Sequence, residues 1–239
     1  MADPFLYSSR QAGWASQAEF DEGLRRHMLQ VYNYMMLGLA LTGIVAFLVG
    51  TTPALYQPIF GTPLKWVVML APLAFVFFFS FRIQAMSAAT AQLTFWIFCA
   101  VMGLSMASIF LVFTGASIAR VFFITAGMFG AASLYGYTTK ADLTKFGSFL
   151  FMGLIGIIIA SLVNLFIGSS AIQFAVSVIG VIVFTGLAAY DTQMIKETYA
   201  ENAGIEENNK LAVFGALSLY LSFINLFQML LSLFGAREE

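Results

Sequence analysis

The stretch LAVFGALSLYLSFINLFQMLLSLFGA, residues 211–236, contains 26 consecutive residues without a charged side chain. As a helix it would be about 39 Å long, more than the roughly 30 Å of a bilayer's hydrocarbon core. Small and polar residues recur along it with a period of about 3.5, which is typical of one helix face. They are Gly215, Ser218, Ser222, Asn225 and Ser232. The stretch therefore predicts a transmembrane helix whose polar face either packs on other helices or lines a water-filled path at the bundle centre.

The composition of the whole chain agrees with a membrane protein. Of its 239 residues, 60% are hydrophobic and 10% are charged, and the mean hydropathy is +0.88. An average soluble domain has roughly 25% charged residues. The net charge of −1 gives no electrostatic reason to expect a nucleic-acid partner. We expect an all-α protein whose main partner is the lipid bilayer.

Charge-free apolar runs predict seven transmembrane helices. Their approximate ranges are 29–50, 65–81, 91–113, 117–137, 147–168, 171–191 and 211–235. Pro72 lies inside the second run and predicts a kink there. The connections are short, so the chain is expected to form one bundle over residues 29–236.

The basic residues of the connections predict the orientation, because cytoplasmic loops carry an excess of Lys and Arg. With the N-terminus inside, eight basic residues lie in cytoplasmic segments and three lie outside. The outside ones are Lys65, Arg120 and Arg237. Seven spans then place the C-terminus outside.

Residues 1–28 are expected to form a cytoplasmic tail and an interfacial helix. The sequence SQAE, residues 16–19, fits a capping box in which Ser16 and Glu19 cap each other's backbone. A helix is therefore predicted to start near Gln17, with residues 1–15 loosely ordered. No cleavable signal peptide is expected, because the first 27 residues lack an apolar core and a cleavage site.

Reactive side chains are scarce, so we expect no enzyme activity and no cofactor. His27 is the only histidine, which excludes a zinc site with several histidines. Residues 211–236 contain no lysine, so they offer no attachment point for retinal. The only cysteine, Cys99, lies in an apolar run without a visible base and is interpreted as a packing residue.

Three stretches together resemble the Bax inhibitor-1 family, also called transmembrane Bax inhibitor motif proteins, and its proteobacterial branch in particular. They are GMFGAASLYGYTTKADL (127–143), GLAAYDTQMIK (186–196) and LSLYLSFINLF (217–227). The resemblance covers roughly residues 25–236. It implies a seven-helix fold with the last helix surrounded by the other six, a place in the bacterial inner membrane, and a passive, pH-sensitive calcium leak.

The resemblance also implies a gate made of two aspartates, one on the sixth helix and one on the seventh. The first corresponds to Asp191, whereas the second position is occupied here by Ser222. Two neighbouring carboxylates share protons and so titrate as a pair. A serine cannot take part in that sharing, and we therefore expect a shallower or acid-shifted pH response than in relatives with the aspartate pair.

Asp191 allows two interpretations from sequence alone. It lies near the cytoplasmic end of the sixth helix, where it could simply mark the exit of the helix from the bilayer. Alternatively, it faces the bundle interior, where intramembrane acids usually have a partner. The best candidate partner is Arg82, which ends the second span on the same side. We hypothesise an Arg82–Asp191 ion pair that keeps a cytoplasmic gate shut until protonation of Asp191 or Ca²⁺ binding weakens the pair. The alternative for Arg82 is that its side chain extends along the helix and places its charge at the membrane–water interface.

Calcium prefers six to eight oxygen ligands, several of them carboxylates. Here Asp191 has only neutral helpers, with Ser222 and Asn225 as candidates, and Ser218 extends the same polar face. We therefore expect only weak, transient Ca²⁺ coordination at Asp191, with H⁺ and Ca²⁺ as the small partners.

A second function class remains open. Some bacterial members of the family are associated with restraining a membrane-bound AAA protease, and the N-terminal tail and the acidic loop 192–210 would serve such contacts. A solvated loop is the simpler interpretation of these charges. A solute transporter is a third alternative, weakened by the lack of visible internal duplication.

Overall fold

A computed structural model describes residues 4–82, 85–199 and 204–238, with side chains from residue 21 onward except that of Ser80. Regular structure in these ranges is helical apart from one bridge between Phe113 and Arg237. The helices are α1 (Pro4–Thr51), α2 (Pro53–Phe60), α3 (Leu64–Arg82), α4 (Ala88–Met106), α5 (Ile109–Val112), α6 (Gly115–Thr138), α7 (Thr144–Ile167), α8 (Ser170–Thr198) and α9 (Ile205–Phe234). The predicted all-α class is confirmed.

Within the described residues, six stretches of helix are long and apolar enough to cross a membrane. A bent pair, α2 with α3, would make a seventh span, and its two helices meet at 87°. The predicted second span, 65–81, falls on α3 with Pro72 inside it. The 19 residues of α3 would be about 28 Å long, which is close to the thickness of the hydrocarbon core.

The first helix is much longer than predicted. It runs without interruption from Pro4 to Thr51, so the predicted start near Gln17 and the loose order of residues 4–15 are wrong. Ser16 lies inside the helix and is not its N-cap. Proline is favoured at a helix start, and six of the sixteen residues 5–20 are Ala, Gln or Glu, which are good helix formers. Residues 1–3 lie outside the described ranges.

Three other helices also depart from the predicted bounds. The predicted third span, 91–113, is interrupted between Met106 and Ile109 and so consists of α4 and α5. Helix α8 continues to Thr198, seven residues beyond the predicted end at Asp191, and α9 begins at Ile205 rather than at residue 211. Both extensions are polar, and they show that these helices continue past the apolar runs that predicted them.

Helix α9 lies at the centre of the bundle. In its most apolar window 56% of the residues are buried, compared with 11–39% in the other candidate spans. It packs against α1, α4, α6 and α8, while α7 packs mainly on α8 and α3 mainly on α4. This arrangement agrees with the predicted central position of the last helix, although that helix makes substantial contact with four of the other six spans and not with all six.

Glycines bring the helices around α8 into close contact. A Cβ added at Gly136 of α6 would overlap the carbonyl group of Ala189 on α8. On the other side of α8, a Cβ at Gly215 of α9 would lie 2.9 Å from the Ile195 side chain. Residue 191 therefore sits on a helix segment that is held tightly between α6 and α9.

Candidate functional site around Asp191

Asp191 faces the bundle interior and not the lipid. Its side chain is only 7% exposed, and its Oδ2 accepts a hydrogen bond of 2.8 Å from the hydroxyl of Ser222, which is 4% exposed. The hydroxyl of Ser218, one turn earlier on α9, also interacts with this carboxylate. The structure thus brings together the α8 and α9 positions that the family resemblance pairs. Of the two sequence interpretations of Asp191, the inward-facing one holds.

The predicted ion pair between Arg82 and Asp191 is not present. Arg82 is exposed at the end of α3, a helix that packs against α4 and α2 and has no substantial contact with α8. Among the described side chains, ion pairs join Glu22 to Arg26 and Glu207 to Lys210 only. The hydroxyls of α9 are the partners of the carboxylate in this conformation, and any role of Arg82 in gating stays a prediction.

Residues next to Asp191 fix the end of α8 to several elements at once. Tyr190 packs on Gly147 and, edge to face, on Phe151, both from α7. The Thr192 hydroxyl donates to the carbonyl oxygen of Ala188 at 2.8 Å, so the hydroxyl of Ser133 on α6 must be the donor in its 3.1 Å contact with Thr192. Successive helix residues point about 100° apart, so these side chains and Asp191 reach different neighbours. The sequence pattern gives no indication of these contacts.

Gln193 holds the loop between α6 and α7. Its amide oxygen accepts from the backbone N–H of Leu143, and its amide nitrogen donates to the carbonyl oxygen of Ala141, both at 2.8 Å. One turn further, Lys196 Nζ donates to the carbonyl oxygen of Tyr137 at 2.9 Å. Polar residues that continue a helix beyond its apolar run are the signal that could have indicated such contacts, because a helix end otherwise leaves backbone groups unpaired.

A second buried polar group joins α1, α4 and α9. Thr42 donates to the carbonyl oxygen of Cys99 at 2.8 Å, so its single hydroxyl proton is used. The hydroxyl of Tyr220 must then be the donor in its 2.6 Å contact with Thr42. Tyr220 is fully buried and packs edge to face on Phe95 and Phe98. This cluster anchors the central helix about half a turn from Ser222.

A cavity of about 610 Å³ opens on the C-terminal half of α9. Its lining includes Asn225, Gln228 and Ser232 of α9 together with Arg237. Asn225, whose amide donates to the Leu221 carbonyl oxygen at 2.8 Å, lies one turn from Ser222. The polar stripe of the last helix thus lines open space in this half of the molecule.

The opposite half of the α8–α9 contact is closed by apolar packing. Ala212 and Ala216 of α9 are fully buried, and Ile195 of α8 fills the space above Gly215. Asp191 lies at the boundary between this packed region and the side of the bundle that contains the cavity. Such a boundary is where a change of charge would have the largest effect on helix packing, because an unpaired charge is costly in a low-dielectric interior.

The donor set at Asp191 is poor for a tightly bound metal ion. Among the described residues, no three His, Cys, Asp or Glu side chains lie together. A Ca²⁺ ion at Asp191 would have to complete its six to eight ligands with hydroxyls, carbonyls and water.

Comparisons with known proteins identify the family and the relatives of this chain. The family model described as "Inhibitor of apoptosis-promoting Bax1" matches residues 24–239. The chain is 49% identical over 219 residues to the inner membrane protein YbhL of Escherichia coli K12, covering 90% of this chain and 94% of that protein. It is 49% identical to the uncharacterized protein RP147 of Rickettsia prowazekii over 92% of this chain and 93% of that one. A Caulobacter vibrioides protein is 47% identical over 92% of each chain.

The match extends over nearly the whole membrane region, including the segments around Asp191 and Ser222. Together with the apolar helices, the name of the E. coli relative supports the predicted location as a multi-pass protein of the bacterial inner membrane. The resemblance carried by the three quoted motifs is confirmed, and the chain belongs to the Bax inhibitor-1 family.

Proposed function

We propose that this protein is a passive, pH-sensitive leak for calcium or other cations, gated at Asp191. The observation that carries the proposal is the buried carboxylate of Asp191, bound by hydroxyls of the most buried helix rather than by a basic side chain. A carboxylate in this setting changes its surroundings strongly when it gains or loses a proton or a cation. No catalytic group is needed for this activity.

The route follows the polar stripe of α9. From one end, the cavity lined by Asn225, Gln228 and Ser232 leads to within one turn of Ser222. From the other end, the contact of Ile195 with Gly215 closes the way. The described conformation corresponds to a shut state, and opening requires α8 to separate from α9 at this contact.

The Ser222 hydroxyl makes this gate different from one with two aspartates. It supplies a hydrogen bond but no second charge, so Asp191 titrates without a like-charged neighbour. A single carboxylate also binds Ca²⁺ weakly, which suits transient passage. We therefore retain the expectation of a shallow pH response.

Ca²⁺ flux through the purified protein in liposomes tests this proposal. The expected result is a flux above that of empty liposomes whose pH dependence disappears in Asp191→Asn. Asp142→Asn is the matched control, because Asp142 is an exposed loop acid whose side chain accepts from the Thr144 N–H at 2.9 Å. Hydrogen bonds from Thr144 hold the pKa of Asp142 below its ordinary value, so this carboxyl stays ionised in mildly acidic buffer and its variant should keep the normal pH profile.

Ser222→Asp is the complementary variant, since it restores the second carboxylate of the family's gate. We expect it to make the flux respond more steeply to pH. The leak proposal fails if no variant passes Ca²⁺, and the role of Asp191 fails if Asp191→Asn keeps the normal pH profile.

The alternative is a modulator of other membrane proteins, such as a membrane-bound AAA protease. The length of α1 favours it: 48 residues would extend about 72 Å, more than twice the hydrocarbon thickness. A large part of this helix therefore lies beyond the bilayer. If liposome flux is absent but removal of residues 1–15 changes the turnover of other membrane proteins, the modulator function is the correct one.

A further inference from the structure

A cleft runs along the lipid-facing side of the bundle between α1 and α6. It consists of two adjoining cavities of about 860 and 310 Å³. Both are bordered by Leu39 of α1, Phe122 of α6 and Phe223 of α9. Helices α1 and α6 make no substantial direct contact, although each packs on α9. The central helix is therefore the floor of the cleft.

The walls of the cleft are apolar over most of its length. Methionine, leucine and phenylalanine side chains predominate, and the polar lining atoms are concentrated near one end. At that end lie Arg25 of α1 and Tyr137 of α6. The cleft is thus basic and aromatic at one end and apolar along the rest of its length. This is the pattern expected for a site that binds a charged lipid headgroup at one end and an acyl chain along the rest.

Arg25 has no ion-pair partner among the described side chains. The neighbouring Arg26 is paired with Glu22, which leaves Asp21 as the nearest other acid on that helix. A second cation reaches the same end from α8, because Lys196 Nζ lies 5.1 Å from the centre of the Tyr137 ring. Arg25 is therefore the basic group that lines the mouth of the cleft, and Lys196 lies over the ring of the lining residue Tyr137, with Glu197 as the acid next to Lys196 in sequence.

The length of the cleft fits a single membrane leaflet. From Arg25 to Leu39 the helix advances about 21 Å, whereas half of the hydrocarbon core is about 15 Å. An acyl chain can thus reach from the level of Arg25 to the shared residues near mid-membrane. We propose that this cleft binds one anionic glycerophospholipid, with its phosphate at Arg25 and an acyl chain between α1 and α6 on the floor formed by Phe223.

Native mass spectrometry of the detergent-purified protein, titrated with phosphatidylglycerol or phosphatidylcholine, tests the proposal. We expect tighter binding of phosphatidylglycerol, and a loss of about fivefold in Arg25→Gln, the size expected for one basic residue at an anionic lipid surface. Arg26→Gln is the charge control, because Arg26 is held by Glu22 and does not line the cleft. Equal losses in the two variants would overturn the headgroup assignment.

A second pair of variants tests the acyl-chain position. Gly130 lines the cleft and Gly127 does not, and a Cβ at either position would meet nothing within 4 Å, so both variants are expected to fold. Gly130→Leu fills the cleft and should reduce binding of both lipids, whereas Gly127→Leu should bind like the unmodified protein. If both leucine variants bind lipid normally, no acyl chain occupies the cleft and the proposal is wrong. Unchanged melting temperatures of the variants confirm that they are folded.

Discussion

Removal of the Ser222 hydroxyl should destabilise the protein through Asp191 specifically. The 2.8 Å hydrogen bond between them joins two side chains that are 4% and 7% exposed, so water has little access to replace it. In Ser222→Ala the carboxylate keeps only the weaker support of Ser218. In Asp191→Ala the Ser222 hydroxyl loses this acceptor, and the double variant removes the interaction as a whole.

The expected coupling free energy between Ser222 and Asp191 depends on the acceptor, which is a carboxylate oxygen. Hydrogen bonds between transmembrane helices contribute about 0.6 kcal/mol on average and about 1.7 kcal/mol at most. A hydrogen bond to a charged group contributes about 1.5–3 kcal/mol. Because Ser218 partly compensates, we expect a coupling free energy of about 1–2 kcal/mol for Ser222→Ala with Asp191→Ala.

The assay is a double-mutant cycle on the free energy of unfolding, measured by SDS titration in mixed micelles. A second cycle, Arg82→Ala with Asp191→Ala, serves as the control, because Arg82 is exposed on α3. The structure predicts that these two effects add. Additive effects for Ser222 and Asp191, or a coupling above 1 kcal/mol for Arg82 and Asp191, would refute this description of the site. Repeating the first cycle in mildly acidic buffer tests whether the coupling depends on the charge of the carboxyl.

Three further substitutions test the packing around the site. Gln193→Leu removes both hydrogen bonds to the loop 139–143 and should increase hydrogen exchange and proteolysis in that loop. Tyr220→Phe removes one buried hydrogen bond and should lower the unfolding free energy by about 0.6–1.7 kcal/mol, measured by SDS titration. Gly136→Leu forces α6 away from α8 and should prevent stable folding, whereas Gly127→Leu on the same helix should melt normally; equal melting temperatures would contradict the close helix contact.

The apolar pattern predicted the membrane helices well because lipid requires long uncharged segments. It predicted their ends poorly wherever polar residues find partners inside the protein. The helix containing Asp191 continues to Thr198 because Gln193 and Lys196 bind backbone groups of the α6–α7 connection. A hydropathy pattern contains no information about such partners, so it stops each helix at the last apolar residue.

The candidate site was predictable in part. The pairing of Asp191 with position 222 was predictable because each residue lies within a motif on a long helix, and α8 and α9 pack against each other. The position of Arg82 depends instead on the packing of α3 on α4, which the motifs do not specify. A predicted position on the same side of the membrane was therefore not enough to bring Arg82 to Asp191.

In the proposed gate, a buried carboxylate without a basic partner would allow a stable closed state that still responds to protons. If Arg82 or another cation neutralised Asp191, protonation would leave that cation unpaired and the change would favour one state strongly. With hydroxyls as partners, both forms of the carboxyl can be hydrogen-bonded. A hydroxyl donates to the ionised carboxylate, and it can accept from the O–H of the neutral carboxyl. The two forms then differ less than they would in an ion pair, so protonation shifts the population of an open state by a limited factor. The serine at position 222 thus fits a leak that responds gradually to protons better than one that switches at a sharp threshold.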